Sequence, residues 1–317
     1  MKKWWKLALT GLITTSLLAT GCSSKGDVAT DTSTGTHKVK IVTTFYPMYE
    51  FAKQVGGEFV DVTVMVPAGT EPHDWEPTPK DVAKVQDADV FVYNGAGFES
   101  WVTNVLGSVD TGKLQVVEAS KGIPLLENKD DNHDGKQDEG SAQAENHDPH
   151  VWLDPVLAQQ EVNTIADALM AKDATHAAEY KKNADAFTAK LAELDAHFQA
   201  GTSKAAKKEF VTAHTAFGYL AKRYGLTQVA IAGLSPEQEP SAGEMKDIVA
   251  FAKGHQVKTI FFETLASPKV AETVAREVGA QTAVLNPLEG LTEQEKSQGL
   301  DYIGVQKKNL EALQAAL

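Results

Sequence analysis

The sequence predicts an α/β protein of two lobes, each a mostly parallel sheet flanked by helices, joined by a long rigid spine helix. Three observations lead to it. Short apolar runs alternate with helical patterns through 38–118 and again through 209–317, as in parallel sheets covered on both faces. Between them lies an amphipathic helical pattern at 176–199, roughly 35 Å long at about 1.5 Å per residue. Finally, three histidines and a glutamate follow strands, at the edge where open α/β sheets bind ligands.

The first lobe begins with a strand at 38–45 and a helix at 47–55. The strand at 59–66 places Val60, Val62, Val64 and Val66 on one face. A helix at 79–86, a buried strand at 90–93, a helix at 99–106 and a strand at 114–118 complete the run. The rhythm breaks at 127–148, a polar, acidic tract containing His133 and His147. Asp130, Asn132, Asp134 and Gly135 match the start of a calcium loop. However, Ser141 stands where its closing glutamate belongs, and no amphipathic helices flank it. A solvated, mobile loop that loosely collects metal, or plain disorder, fits the composition better.

A helix starting at Asp154 carries Ala158, Val162, Ile165 and Leu169 on one stripe. The spine follows, with Tyr180, Phe187, Leu191, Leu194 and Phe198 on its buried face and Gly201 as its stop. The second lobe has strands at 209–213, 227–231, 257–262 and 282–285. Its helices are at 216–224, 243–253, 268–278 and from 293 nearly to the end.

Residues 1–21 read as an export signal, with Lys2, Lys3 and Lys6 before an apolar stretch too short to span a membrane. Leu18-Ala19-Thr20-Gly21-Cys22 resembles a bacterial lipobox, although Ala19 stands where leucine is more usual. Cys22, the only cysteine, is then the expected lipidation site, and no internal disulfide can form. The expected division is signal 1–21, flexible tether 22–36, first lobe 37–172, linking helix 173–201 and second lobe 202–317. Removing the signal takes away three lysines and moves the net charge from −13 to −16. That acidity argues against nucleic acid and favours attraction of cations.

The chain is organised around Asp148-Pro149-His150-Val151-Trp152-Leu153-Asp154-Pro155, where two prolines restrict the backbone on either side of an imidazole. His73 follows the strand ending at Val66, His214 the strand ending at Ala213, and Glu289 the strand ending at Leu285. Each has a plain alternative: a polar turn for His73, a helix-start histidine for His214, a loop cap for Glu289. Taken together they predict one metal in the cleft between the lobes. Three imidazoles and a carboxylate suit four-coordinate zinc better than manganese. Glu263, at the same edge, can accept an imidazole N–H. Trp75 and Trp152 flank two of the ligands and can exclude water or simply fill the core. A hydrolytic enzyme is not expected, since there is no His-Glu-x-x-His helix and no general base apart from the ligands.

Pro72-His73-Asp74-Trp75-Glu76-Pro77-Thr78-Pro79, the 148–155 stretch, Val211-Thr212-Ala213-His214 with Phe217-Gly218-Tyr219, and Phe261-Phe262-Glu263 resemble the solute-binding lipoproteins of zinc and manganese ABC importers. The resemblance covers nearly all of the chain after the tether. It implies a metal between two lobes, handed to a membrane permease driven by a cytoplasmic ATPase, with His73 and His150 as the first two ligands. The third position is histidine in the zinc branch and usually glutamate in the manganese branch; here it is His214. Glu289 matches the fourth, which water fills in some relatives. The 127–148 tract resembles the acidic, histidine-containing loop of zinc binders. The additional C-terminal zinc-binding domain of some relatives is not expected here. The expected protein is a monomeric zinc carrier lipid-anchored outside the cell. The rival readings are a manganese or iron carrier of the same fold and an adhesin-type surface lipoprotein with a structural metal.

Overall fold

A computed structural model describes residues 38–127, 147–238 and 240–317. Cys22, His133 and the residues of the calcium-loop match lie outside them. The first sheet contains β1 (Val39–Thr43), β2 (Val60–Val64), β3 (Val90–Tyr93) and β4 (Gln115–Glu118) in the order β2-β1-β3-β4, all parallel. Helices α1 (Tyr46–Gly56), α2 (Pro79–Gln86) and α3 (Val102–Ser108) connect them. The central strand β3 is an unbroken apolar run because it is covered on both faces. Edge strand β2 instead alternates, with Asp61 and Thr63 exposed. Its ladder stops at Val64, short of the expected strand end. Met65 and Val66 continue as irregular backbone, donating to the carbonyls of Thr43 and Thr44 at 2.8 and 2.9 Å.

A two-residue antiparallel pair follows, β5 (Leu126–Glu127) with β6 (His147–Asp148), which closes the two ends of the acidic tract. Sequence pattern gives no sign of it, since neither strand is long enough to show alternation. Helix α4 (Pro155–Lys172) begins as expected. The Asp154 carboxylate accepts the N–H groups of Val156 and Leu157, and Pro155 occupies the first turn. Ala158, Val162, Ile165 and Leu169 are all fully buried.

Helix α5 (Ala177–Ser203) carries the expected buried stripe but runs past Gly201. That glycine is no stop: a Cβ there would lie 2.5 Å from Gln314 Nε2 and 3.0 Å from Leu310 Cδ1, so it lets another helix approach closely. The second sheet has β7 (Glu209–Thr212), β8 (Thr227–Ala230), β9 (Thr259–Phe262) and β10 (Gln281–Val284), ordered β10-β9-β7-β8 and again all parallel. Helices α6 (Gly218–Tyr224), α7 (Ala242–Gly254) and α8 (Lys269–Val278) connect them.

The single closing helix expected from 293 is two, α9 (Glu293–Ser297) and α10 (Tyr302–Ala316). Gly299, at φ +70°, turns the chain between them, and Asp301 caps α10 by accepting the Gly304 N–H. Helix α10 is the helix that Gly201 admits. One apolar core runs from the first sheet (Ile41, Val92) through Phe51, Trp152, Leu191 and Tyr302 to the second sheet (Phe210, Phe261). The fold class is thus as predicted, two parallel sheets with their helices around a long spine.

Candidate metal centre

All four predicted ligands arrive on connections that leave the carboxyl ends of strands. His73 lies in the β2–α2 connection and His150 just after β6. His214 follows β7, and Glu289 follows β10. Their donor atoms all lie within 4.8 Å of one another. Glu289 Oε1 sits 3.2 Å from His73 Nε2, 3.4 Å from His150 Nε2 and 3.3 Å from His214 Nε2. The Nε2 atoms of His150 and His214 are 3.4 Å apart. Three imidazoles therefore aim the same nitrogen at one carboxylate oxygen. The His150, His214 and Glu289 side chains are at most 1% exposed, while His73 is 9% exposed and is the solvent-side member.

The outward nitrogens fix the rings. His150 Nδ1 faces Asp148 Oδ1 at 2.8 Å, and the His150 backbone N–H donates to the same oxygen at 2.9 Å. His214 Nδ1 faces Glu263 Oε1 at 2.5 Å. A carboxylate only accepts, so each Nδ1 carries a proton, and Nε2 is the nitrogen that is left to a cation once its own proton has gone. His73 is placed differently. Its backbone N–H donates to both Glu71 carboxylate oxygens, at 3.0 and 3.1 Å, and its ring stands edge-on to Phe98 at 4.8 Å.

Glu289 is held through its own loop. Leu288, fully buried, adopts φ +59°, a strained value for a non-glycine residue. Asn286 locks that turn by accepting the Leu288 N–H at 2.7 Å. Asn309 of α10 closes a two-bond clasp on Asn286, accepting its backbone N–H at 2.9 Å and donating to its carbonyl at 2.7 Å. From the first half of the chain, the Trp152 indole N–H donates to the Pro287 carbonyl at 2.8 Å.

Trp152, Phe98 and Phe45 form an apolar wall beside His150 and His73, with ring centroids 4.5 to 5.0 Å apart. Trp152 belongs to the apolar core and also stands beside His150, with ring centroids 5.1 Å apart. Trp75 turns away and packs edge-on against Trp101 at 5.4 Å. His147 pairs with Glu127 in the stem of the acidic tract and is not part of the four-residue cluster.

The charges are strongly coupled. Burial pulls the His214 pKa down, but the Glu263 and Glu289 carboxylates outweigh it and hold the group well above its usual value. Burial likewise opposes protonation of His150, yet its bonds to Asp148 and Glu289 raise it. His73 lies below its usual value because burial dominates. Burial would raise the Glu289 carboxyl, but His73 and His214 hold it well below the ordinary range. A cluster of this kind keeps protons among its imidazoles until a cation replaces them.

Sequence reasoning missed Asp148, Asn286, Asn309 and Phe98 as supports. Asp148 was visible two residues before His150, a spacing that permits a local side-chain bond. Asn286, two residues before Leu288, had the same local spacing, whereas Asn309 and Phe98 act across the fold and left no local signal.

Known proteins resemble the chain over most of its length. The chain is 48% identical over 316 residues to the high-affinity zinc uptake system protein ZnuA of Bacillus subtilis, covering 100% of this chain and 98% of that one. It is 46% identical over 278 residues to the zinc-binding lipoprotein AdcA of Streptococcus pneumoniae, covering 87% of this chain but only 55% of that longer protein. The crystal structure of the Zn(II)-bound ZnuA-like domain of the same AdcA is similar with a TM-score of 0.75 at 44% identity, covering 88% of this chain and 99% of that one. The family ZnuA, zinc-uptake complex component A, periplasmic, matches residues 41–316, and the chain belongs to it.

Proposed function

We propose that this protein captures Zn2+ outside the cytoplasm with His73, His150, His214 and Glu289 and delivers it to an ABC permease. The observation that carries the reading is the convergence of three Nε2 atoms on Glu289 Oε1. Three neutral imidazoles and one carboxylate are a tetrahedral zinc donor set with no position left for a reactive water. That favours a carrier over a hydrolase. The aromatic wall keeps the site dry, which strengthens each donor's interaction with the ion. Asp148 and Glu263 supply negative charge behind two ligands and raise their basicity.

In this reading residues 37–172 form the first lobe, 173–201 the linking helix and 202–317 the second. Lipidation at Cys22 would hold the protein at the outer face of the cell membrane, with the permease and its ATPase as partners and a single chain as the working unit. Zinc is the cargo, and its release to the permease reverses the proton exchange that accompanies binding.

The test is zinc and manganese titration in direct competition on the metal-stripped mature domain and on His214→Ala. One tight zinc site per chain is expected, lost or much weakened in the variant while its circular dichroism remains that of the parent. Preference for manganese, or indifference to the substitution, would overturn the reading.

A further inference from the structure

We propose that Tyr219 is a positioning residue for His150, acting through Asp148. The proposal rests on the reading of His150 as a zinc ligand. The Tyr219 hydroxyl donates to the Asp148 backbone carbonyl at 2.6 Å and accepts the Leu126 N–H at 2.9 Å. Asp148 in turn holds His150 at both its backbone N–H and its Nδ1. Tyr219, Asp148 and His150 are all buried, at 4%, 4% and 0% exposure, so water is poorly placed to replace a lost bond.

Asp148 needs this support because its own strand is too short to place it. Strand β6 has two residues and a single two-residue partner, β5. Isolated strand pairs even of ordinary length are marginal in water. The Tyr219 hydroxyl bridges both members of the pair, bonding Leu126 on β5 and Asp148 on β6.

Gly218 gives a second, independent indication. A Cβ at this position would stand 2.6 Å from Asp148 Oδ2. Its φ is not among the positive values, so no turn demands a glycine there. The residue is small so that the start of α6 can press against the carboxylate. Helix α6 follows His214 by four residues. One segment of the second half thus carries His214 and, through Gly218 and Tyr219, fixes the aspartate that aims His150.

The test titrates zinc, in competition with a chromophoric chelator, into the metal-stripped parent, Tyr219→Phe, Gly218→Ala, Asp148→Asn and the Tyr219→Phe/Asp148→Asn double variant. Tyr224→Phe is the control, since the Tyr224 hydroxyl bonds Asp195 on α5 rather than the site. Tyr219→Phe and Gly218→Ala should each weaken zinc binding about tenfold, the lower end of the range for groups that orient metal ligands. The double variant should bind no more weakly than Asp148→Asn alone, because both changes act on one chain of bonds. Tyr224→Phe should bind as the parent does. All titrations run well below each variant's apo melting midpoint, and Gly218→Ala carries the test if Tyr219→Phe does not fold.

Parental affinity in Tyr219→Phe, or a double variant weaker by the product of the two single effects, overturns the proposal while leaving the ligand reading intact. A parent that fails to bind zinc overturns both.

Discussion

His214 Nδ1 and Glu263 Oε1 lie 2.5 Å apart, with the ring wholly buried and the carboxylate only 4% exposed. The carboxylate orients the ring and adds charge behind the nitrogen that faces Glu289. Glu263→Gln keeps an acceptor but removes the charge. Zinc affinity should fall about 10- to 100-fold with one site per chain retained, as read by chelator competition. Affinity within twofold of the parent would mean that the carboxylate merely fills space.

Trp152→Phe tests the bond between the two halves of the chain. The Pro287 carbonyl loses its indole donor in a buried position, at a cost of about 1–3 kcal/mol. The apo melting temperature should drop, and zinc should bind more weakly because the Leu288–Glu289 turn is less firmly held. A variant that melts like the parent would remove Trp152 from this role.

The charged cluster predicts a pH signature. His214 is held above its ordinary value of 6.5, so its proton stabilises the folded apo protein fully below that pH. This contribution is lost as pH rises through the raised folded-state value. Glu289 is held below its ordinary 4.5, so its contribution is present above that value and disappears as acid carries the pH down through the folded-state value. Zinc replaces the imidazole protons, so the gap in melting temperature between zinc-loaded and apo protein should widen from pH 6 upward. Calorimetry in buffers of different ionisation enthalpy should show on the order of one proton released per zinc near neutral pH. A gap independent of pH would contradict histidine ligation.

Gly201→Leu should destabilise the apo protein by about 2 kcal/mol through overpacking against Leu310 and Gln314, despite leucine's better helix propensity. The check is urea unfolding of both proteins. A more stable variant would show that α5 and α10 can part there without penalty.

The gathering of the three histidines and Glu289 in one place was legible because each follows a strand at the edge where α/β sheets bind, and His150 sits between prolines. The stripes of α4 and α5 were legible because apolar spacing reports helix burial directly. Gly201 was misread because glycine marks both helix ends and close helix crossings, and only the approach of α10 distinguishes them. The clasp of Asn286 and Asn309 spans 23 residues and the Tyr219–Asp148 bond 71, so neither casts a periodic pattern. Strands β5 and β6 are too short to alternate.

The core shared by the two sheets bears on how fast cargo can leave. Swinging the sheets apart like a hinge would expose Trp152, Tyr302 and their neighbours to water, a slow route. His73 is the solvent-side member of the four-residue cluster, carried by the connection between β2 and α2 outside any regular element. Lifting that connection would remove one of the four proposed ligands and leave the core closed. If His73 holds the ion, its dwell time would follow excursions of this connection, which for loops run from nanoseconds to microseconds, rather than separation of the sheets. A permease that grips this loop would shorten the dwell time without unfolding anything.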